Sequence, residues 1–98
     1  MSKNKYLEEL KNLVLEILKD EKVKIILFGS RARGDNNAVS DVDIGLMPYG
    51  KIDKKKVILL KEKIEDLNIP YKVELVNFSE VSQDFRKEAA KGAIVWKE

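Results

Sequence analysis

The chain has 98 residues, 44% hydrophobic and 37% charged, with 19 Lys and Arg against 17 Asp and Glu for a net charge of +2. This length suits a single domain, residues 1–98, burying roughly 60 to 65% of its extended surface, and so even a charge balance exerts no strong long-range pull on nucleic acid or acidic lipid. Cysteine and histidine are both absent, which excludes disulfides, thiolate nucleophiles, thiolate zinc sites, cysteine-held iron–sulfur clusters and the Ser-His-Asp triad.

Acid–base and metal chemistry is therefore left to carboxylates, lysines, tyrosines and hydroxyls, a donor set that favours a hard ion such as Mg²⁺. No apolar run approaches the roughly 18 residues needed to cross a bilayer. The charged start Met1-Ser2-Lys3-Asn4-Lys5 has no signal-peptide core behind it, so a cytoplasmic protein with no membrane partner is expected.

In chain order, Leu7, Leu10, Val14 and Ile17, widened by Leu13 and Leu18, recur at helical spacing and predict an amphipathic helix over about Lys3 to Asp20. Val23 to Phe28 is short, β-branched and apolar apart from Lys24, and Gly29 stops it, which reads as a buried strand. Gly29 to Gly34 holds a turn with one helical turn, and Asp35-Asn36-Asn37 is loop chemistry. Asp41 to Leu46 alternates polar and apolar with period two, a strand with one face on the core, ended by Pro48 and Gly50. Asp53 caps a second amphipathic helix with Val57, Leu60, Ile64 and Leu67 on one face. Tyr71 to Val76 follows as a strand with Val73 and Leu75 on one side and Lys72 and Glu74 on the other. Ser79 or Ser82 caps a last helix carrying Phe85 and Ala89 and stopped by Gly92, and Ala93 to Trp96 forms a short edge strand. The order α, β, β, α, β, α and a final β describes an α+β protein, a small mixed β-sheet covered by helices. Phe78 and Trp96 suit either the core or a partner surface.

The chemistry concentrates in Gly29-Ser30-Arg31-Ala32-Arg33-Gly34 and Ser40-Asp41-Val42-Asp43. A strand that ends in Gly-Ser and turns straight into a helical start leaves backbone N–H groups pointing outward beside a hydroxyl, an arrangement that binds phosphate. Asp41 and Asp43, two apart on a strand, project from one face and converge on a shared cation. Such a pair repels, which either raises a pKa or is relieved, with both groups still ionised, by a divalent ion between the carboxylates. A third carboxylate completes a two-ion site for in-line displacement. Glu74 is the candidate: if its strand lies beside that of Asp41, all three face one pocket, and Glu74 binds the second ion or takes the proton of an attacking hydroxyl.

Arg31 and Arg33 are two of three arginines in a chain with 16 lysines. Arginine suits an oriented grip on phosphate, or a salt bridge pinning the motif loop. Ser40 supplies a hydroxyl beside Asp41, to steady it or to reach the nucleotide. Lys54-Lys55-Lys56 is offset by Glu62, Glu65 and Asp66 along the helix and reads as a solvated face, which argues against nucleic acid as a partner.

Together, Gly29-Ser30-x-Ala32-Arg33-Gly34 and Ser40-Asp41-x-Asp43 resemble the signature of the minimal nucleotidyltransferases, small members of the polymerase beta-like superfamily, and the resemblance covers nearly the whole chain. It implies the palm-like nucleotidyltransferase fold and Mg²⁺-dependent transfer of AMP from ATP to an acceptor hydroxyl. Gly29, Ser30, Arg33 and Ser40 are then expected to bind the nucleotide, and Asp41, Asp43 and Glu74 to bind metal and carry catalysis. It also implies an antitoxin whose partner is a HEPN-type toxin, adenylylated on tyrosine. One residue departs from the pattern: the family usually has Asp where this chain has Glu74, which shifts the carboxylate by roughly 1.5 Å. An antitoxin that neutralises by binding alone, and a transferase acting on a small molecule or nucleic acid, are the alternative readings. So small a catalytic unit needs a partner to supply much of the acceptor pocket, in a homodimer or hetero-oligomer.

Overall fold

The computed structural model describes residues 5–29, 32 and 41–98. Helix α1 (Lys5–Ile17) buries Leu10 and Val14, with Leu18 buried just beyond it. Strand β1 (Val23–Phe28) follows, then β2 (Val42–Pro48), helix α2 (Lys54–Asp66), β3 (Val73–Asn77), a 3₁₀ turn (Phe78–Glu80), helix α3 (Gln83–Ala90) and β4 (Ile94–Lys97). The strands form one mixed sheet in the order β3-β2-β1-β4, with β1 antiparallel to β2 and β4, and β2 parallel to β3. The crossover through α2 is what parallel pairing of β2 with β3 requires. The α+β architecture and the element order expected from the sequence are both present.

β1 is apolar on both faces because both are covered. Ile25 and Leu27 join Val42, Ile44 and Leu46 in the core under α1 and α2, where Leu10, Val14, Leu60 and Ile64 meet them. Ile26 and Phe28 point the other way, into a smaller cluster with Phe78 and Ala89. That cluster depends on Gly45: a Cβ there would lie 2.7 Å from the Phe78 ring and 3.0 Å from Ile26. The missing side chain lets the Phe78 ring approach the β2 backbone closely.

Local chemistry sets the helix ends. Asp53 caps α2, accepting from the Lys55 amide at 2.9 Å, and Ser82 caps α3, accepting from the Phe85 amide at 3.1 Å. Asn77 accepts from the Ser79 amide at 2.9 Å and opens the 3₁₀ turn, an element the sequence pattern did not announce. Gly92 at φ +74° lets the chain leave α3 towards β4. Element bounds shift in detail: α1 ends at Ile17 rather than Asp20, β2 runs over Val42–Pro48 rather than Asp41 to Leu46, β3 over Val73–Asn77 rather than Tyr71 to Val76, and β4 over Ile94–Lys97 rather than Ala93 to Trp96. In α3, Phe85 is 42% exposed while Ala89 is buried. Trp96 and Phe78 both fall on the core side of the choice left open by the sequence, Phe78 fully buried and Trp96 packed against the main cluster.

Among the described residues, no helix is long and apolar enough to cross a membrane.

Candidate active site

Cross-strand partners share a face of the sheet, so the register can be read as rows. Ile26, Gly45 and Val76 form one row, and Phe78 lies over it. The next row, at the end where β1 stops, is Phe28, Asp43 and Glu74. Thus the sheet face changes from apolar to acidic within one step of the pleat. Parallel neighbours stand about 4.8 Å apart at the backbone, so Asp43 and Glu74 are adjacent across β2 and β3. Asp41, two residues before Asp43 and just ahead of β2, extends the acidic surface outward.

At the same end the chain leaves β1 through Gly29, whose φ is +79°. The turn closes with the Ala32 amide donating to the Gly29 carbonyl at 3.1 Å. Gly29 is required here twice over. Its backbone conformation disfavours any L side chain, and a Cβ would lie 2.5 Å from Asp43 Oδ2. The turn expected to hold phosphate therefore lies directly against the central carboxylate, a contact that spacing along the sequence does not reveal.

Asp43 is half-buried. Desolvation, then the neighbouring charge of Glu74, then that of Asp41, push its carboxyl above the ordinary aspartate range. Among the described residues the charges acting on this group share its sign, and a divalent cation would offset that repulsion. The donors are hard carboxylate oxygens, which suit Mg²⁺. Among the described residues, however, no three carboxylates are gathered closely enough to hold one ion as they stand. Asp43 is half-buried, whereas Asp41 and Glu74 are exposed.

Of the residues expected from the sequence, the structure brings Gly29, Asp41, Asp43 and Glu74 to one end of the sheet. Ser30, Arg33 and Ser40, with Arg31, lie outside the described residues. Residue spacing does not reveal a cleft of about 210 Å³ beside the turn, lined by Phe28, Gly29, Phe85, Glu88 and Ala89. The only available signal was an aromatic residue in the first turn of the last helix.

A mixed sheet with helical residues packed on both faces and a glycine turn against the Asp43 carboxylate is the arrangement that the resemblance leads one to expect. Residues 8–98 match the family described as polymerase beta, nucleotidyltransferase, and the chain belongs to that family. It is 31% identical over 71 residues to the probable protein adenylyltransferase MntA of Haemophilus influenzae, covering 72% of this chain and 62% of that one. A relative in Methanocaldococcus jannaschii, named for the same activity, is 40% identical over 63 residues, covering 64% of this chain and 58% of that one. The chain thus spans about three fifths of the length of these relatives. Among solved structures, a toxin–antitoxin complex with AMP-PNP superposes with a TM-score of 0.65 at 24% identity, over 88% of this chain and 71% of that one. A tri-AMPylated Shewanella oneidensis HEPN toxin in complex with MNT antitoxin gives 0.61 at 21% identity, over 91% and 70%. At these identities the two superpositions establish the fold.

Proposed function

We propose that this protein, acting through residues 1–98 as one domain, transfers AMP from ATP to a hydroxyl of a protein partner, and that the partner is a HEPN-type toxin for which it is the antitoxin. The observation that carries this reading is the contact of Gly29 with Asp43, in a row with Glu74. This contact supports a reading in which a phosphate-binding turn works beside a carboxylate. The names of the relatives support the activity, and the complex of a tri-AMPylated HEPN toxin with an MNT antitoxin supports the partner.

In this reading Gly29 and Ser30 cradle the triphosphate, with Arg33 and Ser40 assisting, and Asp41 and Asp43 offer carboxylate oxygens to Mg²⁺. Bound there, the ion would offset negative charge on the phosphates and on the carboxylates. Glu74 accepts the proton of the acceptor hydroxyl as its oxygen bonds to the α-phosphorus and pyrophosphate departs. The added methylene of Glu74, relative to the usual Asp, gives a flexible base a longer reach from an exposed position on an edge strand.

Incubation with α-labelled ATP, Mg²⁺ and the cognate toxin tests the proposal. Label is expected on the toxin, and Asp43→Ala is expected to lower the transfer by more than about 100-fold. Absence of label with wild type, or equal labelling by Asp43→Ala, overturns it. Glu74, where the family usually has Asp, favours one second reading, neutralisation by binding alone. Full neutralisation by the Asp41→Ala, Asp43→Ala double variant would establish that reading.

A further inference from the structure

The cleft beside Gly29 has a chemistry unlike that of the acidic row. Three of its five lining residues, Phe28, Phe85 and Ala89, are apolar, and Gly29 and the exposed Glu88 complete it. Such walls desolvate a phosphate without repaying it, so the cleft is no extension of the phosphate turn. Phe85 is 42% exposed yet held in place. Its ring meets Phe28 at 6.1 Å and 83°, and Phe78 at 5.8 Å and 73°, while Phe28 and Phe78 meet each other at 5.3 Å and 75°. The Ser82 cap fixes its backbone by accepting from the Phe85 amide. An aromatic ring locked by three-way contact, with part of its surface open, stacks on a flat ligand at little cost in conformational freedom.

We propose that this cleft receives the base of the nucleoside triphosphate, stacked on Phe85. The inference rests on the proposed function and deepens it, because Gly29 belongs both to the phosphate turn and to the cleft wall. A nucleotide whose phosphates lie on the turn is thus offered an aromatic platform at the same end of β1. The exposed Glu88 carboxylate that lines the cleft, paired with Lys91 at 3.3 Å, can only accept hydrogen bonds, which suits a base carrying an amino group.

The test compares binding of ATP with binding of inorganic tripolyphosphate, both with Mg²⁺, by calorimetry. Wild type is expected to bind ATP more tightly than tripolyphosphate. Phe85→Ala is expected to weaken ATP about tenfold while leaving tripolyphosphate unchanged, and Phe85→Tyr, which keeps the ring, to retain the affinity for ATP. Should Phe85→Ala fail to fold, Phe85→Leu keeps apolar volume without a ring face and is expected to show the same selective loss. If Phe85→Ala binds ATP as wild type does, or loses ATP and tripolyphosphate equally, the base site is overturned and the proposed function stands. If wild type binds neither ligand, the proposed function falls and the base site with it.

Discussion

Where β1 begins, the Glu21 carboxylate accepts from the Asp53 amide at 3.0 Å and pairs with Lys56 at 3.1 Å; where β1 stops, the Asp43 carboxylate lies against Gly29 and feels the charges of Glu74 and Asp41. The same kind of group is pulled below its ordinary range at one end and pushed above it at the other. At the first end the partners come from within the chain. Lys97 reinforces them by donating to the Glu21 and Val23 carbonyls at 3.1 and 3.4 Å. Among the described residues, the charges that act on Asp43 are negative. Glu21 is neutralised by groups of the chain itself, whereas among the described residues the charges beside Asp43 have its own sign.

The contrast breaks most visibly at Gly29. Replacement by Ala is expected to lower the unfolding free energy by about 1–2 kcal/mol for the left-handed backbone alone, as read from denaturant melts. The added methyl also forces the Asp43 carboxylate aside. AMP transfer is therefore expected to fall much further than the loss of folded protein explains. A Gly29→Ala protein that pays the stability cost and keeps full transfer would separate the turn from the carboxylate.

A smaller effect, with a diagnostic sign, is expected from Asp43→Asn. A raised carboxyl pKa means that the folded state holds its proton more tightly than the unfolded state. This group therefore costs no stability below the ordinary aspartate value, and its cost grows as pH rises through the raised one. Without Mg²⁺, Asp43→Asn is expected to melt above wild type at pH 7 and to match it near about pH 3. Adding Mg²⁺ should then raise the Tm of wild type more than that of the variant, by preferential binding to the folded state. A melting point that falls on substitution at pH 7 would show that Asp43 is compensated after all.

How much of this was legible from residues alone differs between the two ends. The site end was written locally: the stop at Gly29, the period-two spacing of Asp41 and Asp43, and the polar side of the Glu74 strand are short-range signals. Their assembly needed only that β2 and β3 be parallel neighbours, which the register then sets side by side. The contact of Gly29 with Asp43 needed the turn of the backbone as well. The clasp at the other end joins residues 32 apart, and Glu21 in the sequence is one more acidic residue in a loop. Phe85 shows a further limit. Spacing of four places it on one helix face with Ala89, but how far that face extends over the sheet is a tertiary matter, and only Ala89 lies beneath cover. The 3₁₀ turn carries three residues, too few for any period.

Glu21→Gln offers the smallest and sharpest comparison. The lowered pKa of Glu21 has two favourable sources, first the hydrogen bond from the Asp53 amide and then the one from Lys56. A carboxyl held below its ordinary range stabilises the fold above that range and loses its contribution as pH falls through the lowered value. Glutamine keeps an oxygen for the Asp53 amide but loses the charge that Lys56 answers. The variant is therefore expected to melt slightly below wild type at pH 7, with the gap closing in acid and narrowing in high salt, while AMP transfer is unchanged. Asp43→Asn moves the melting point the other way at the same pH. If both substitutions moved it in one direction, the distinction between a carboxylate used by the fold and one kept for a ligand would fail.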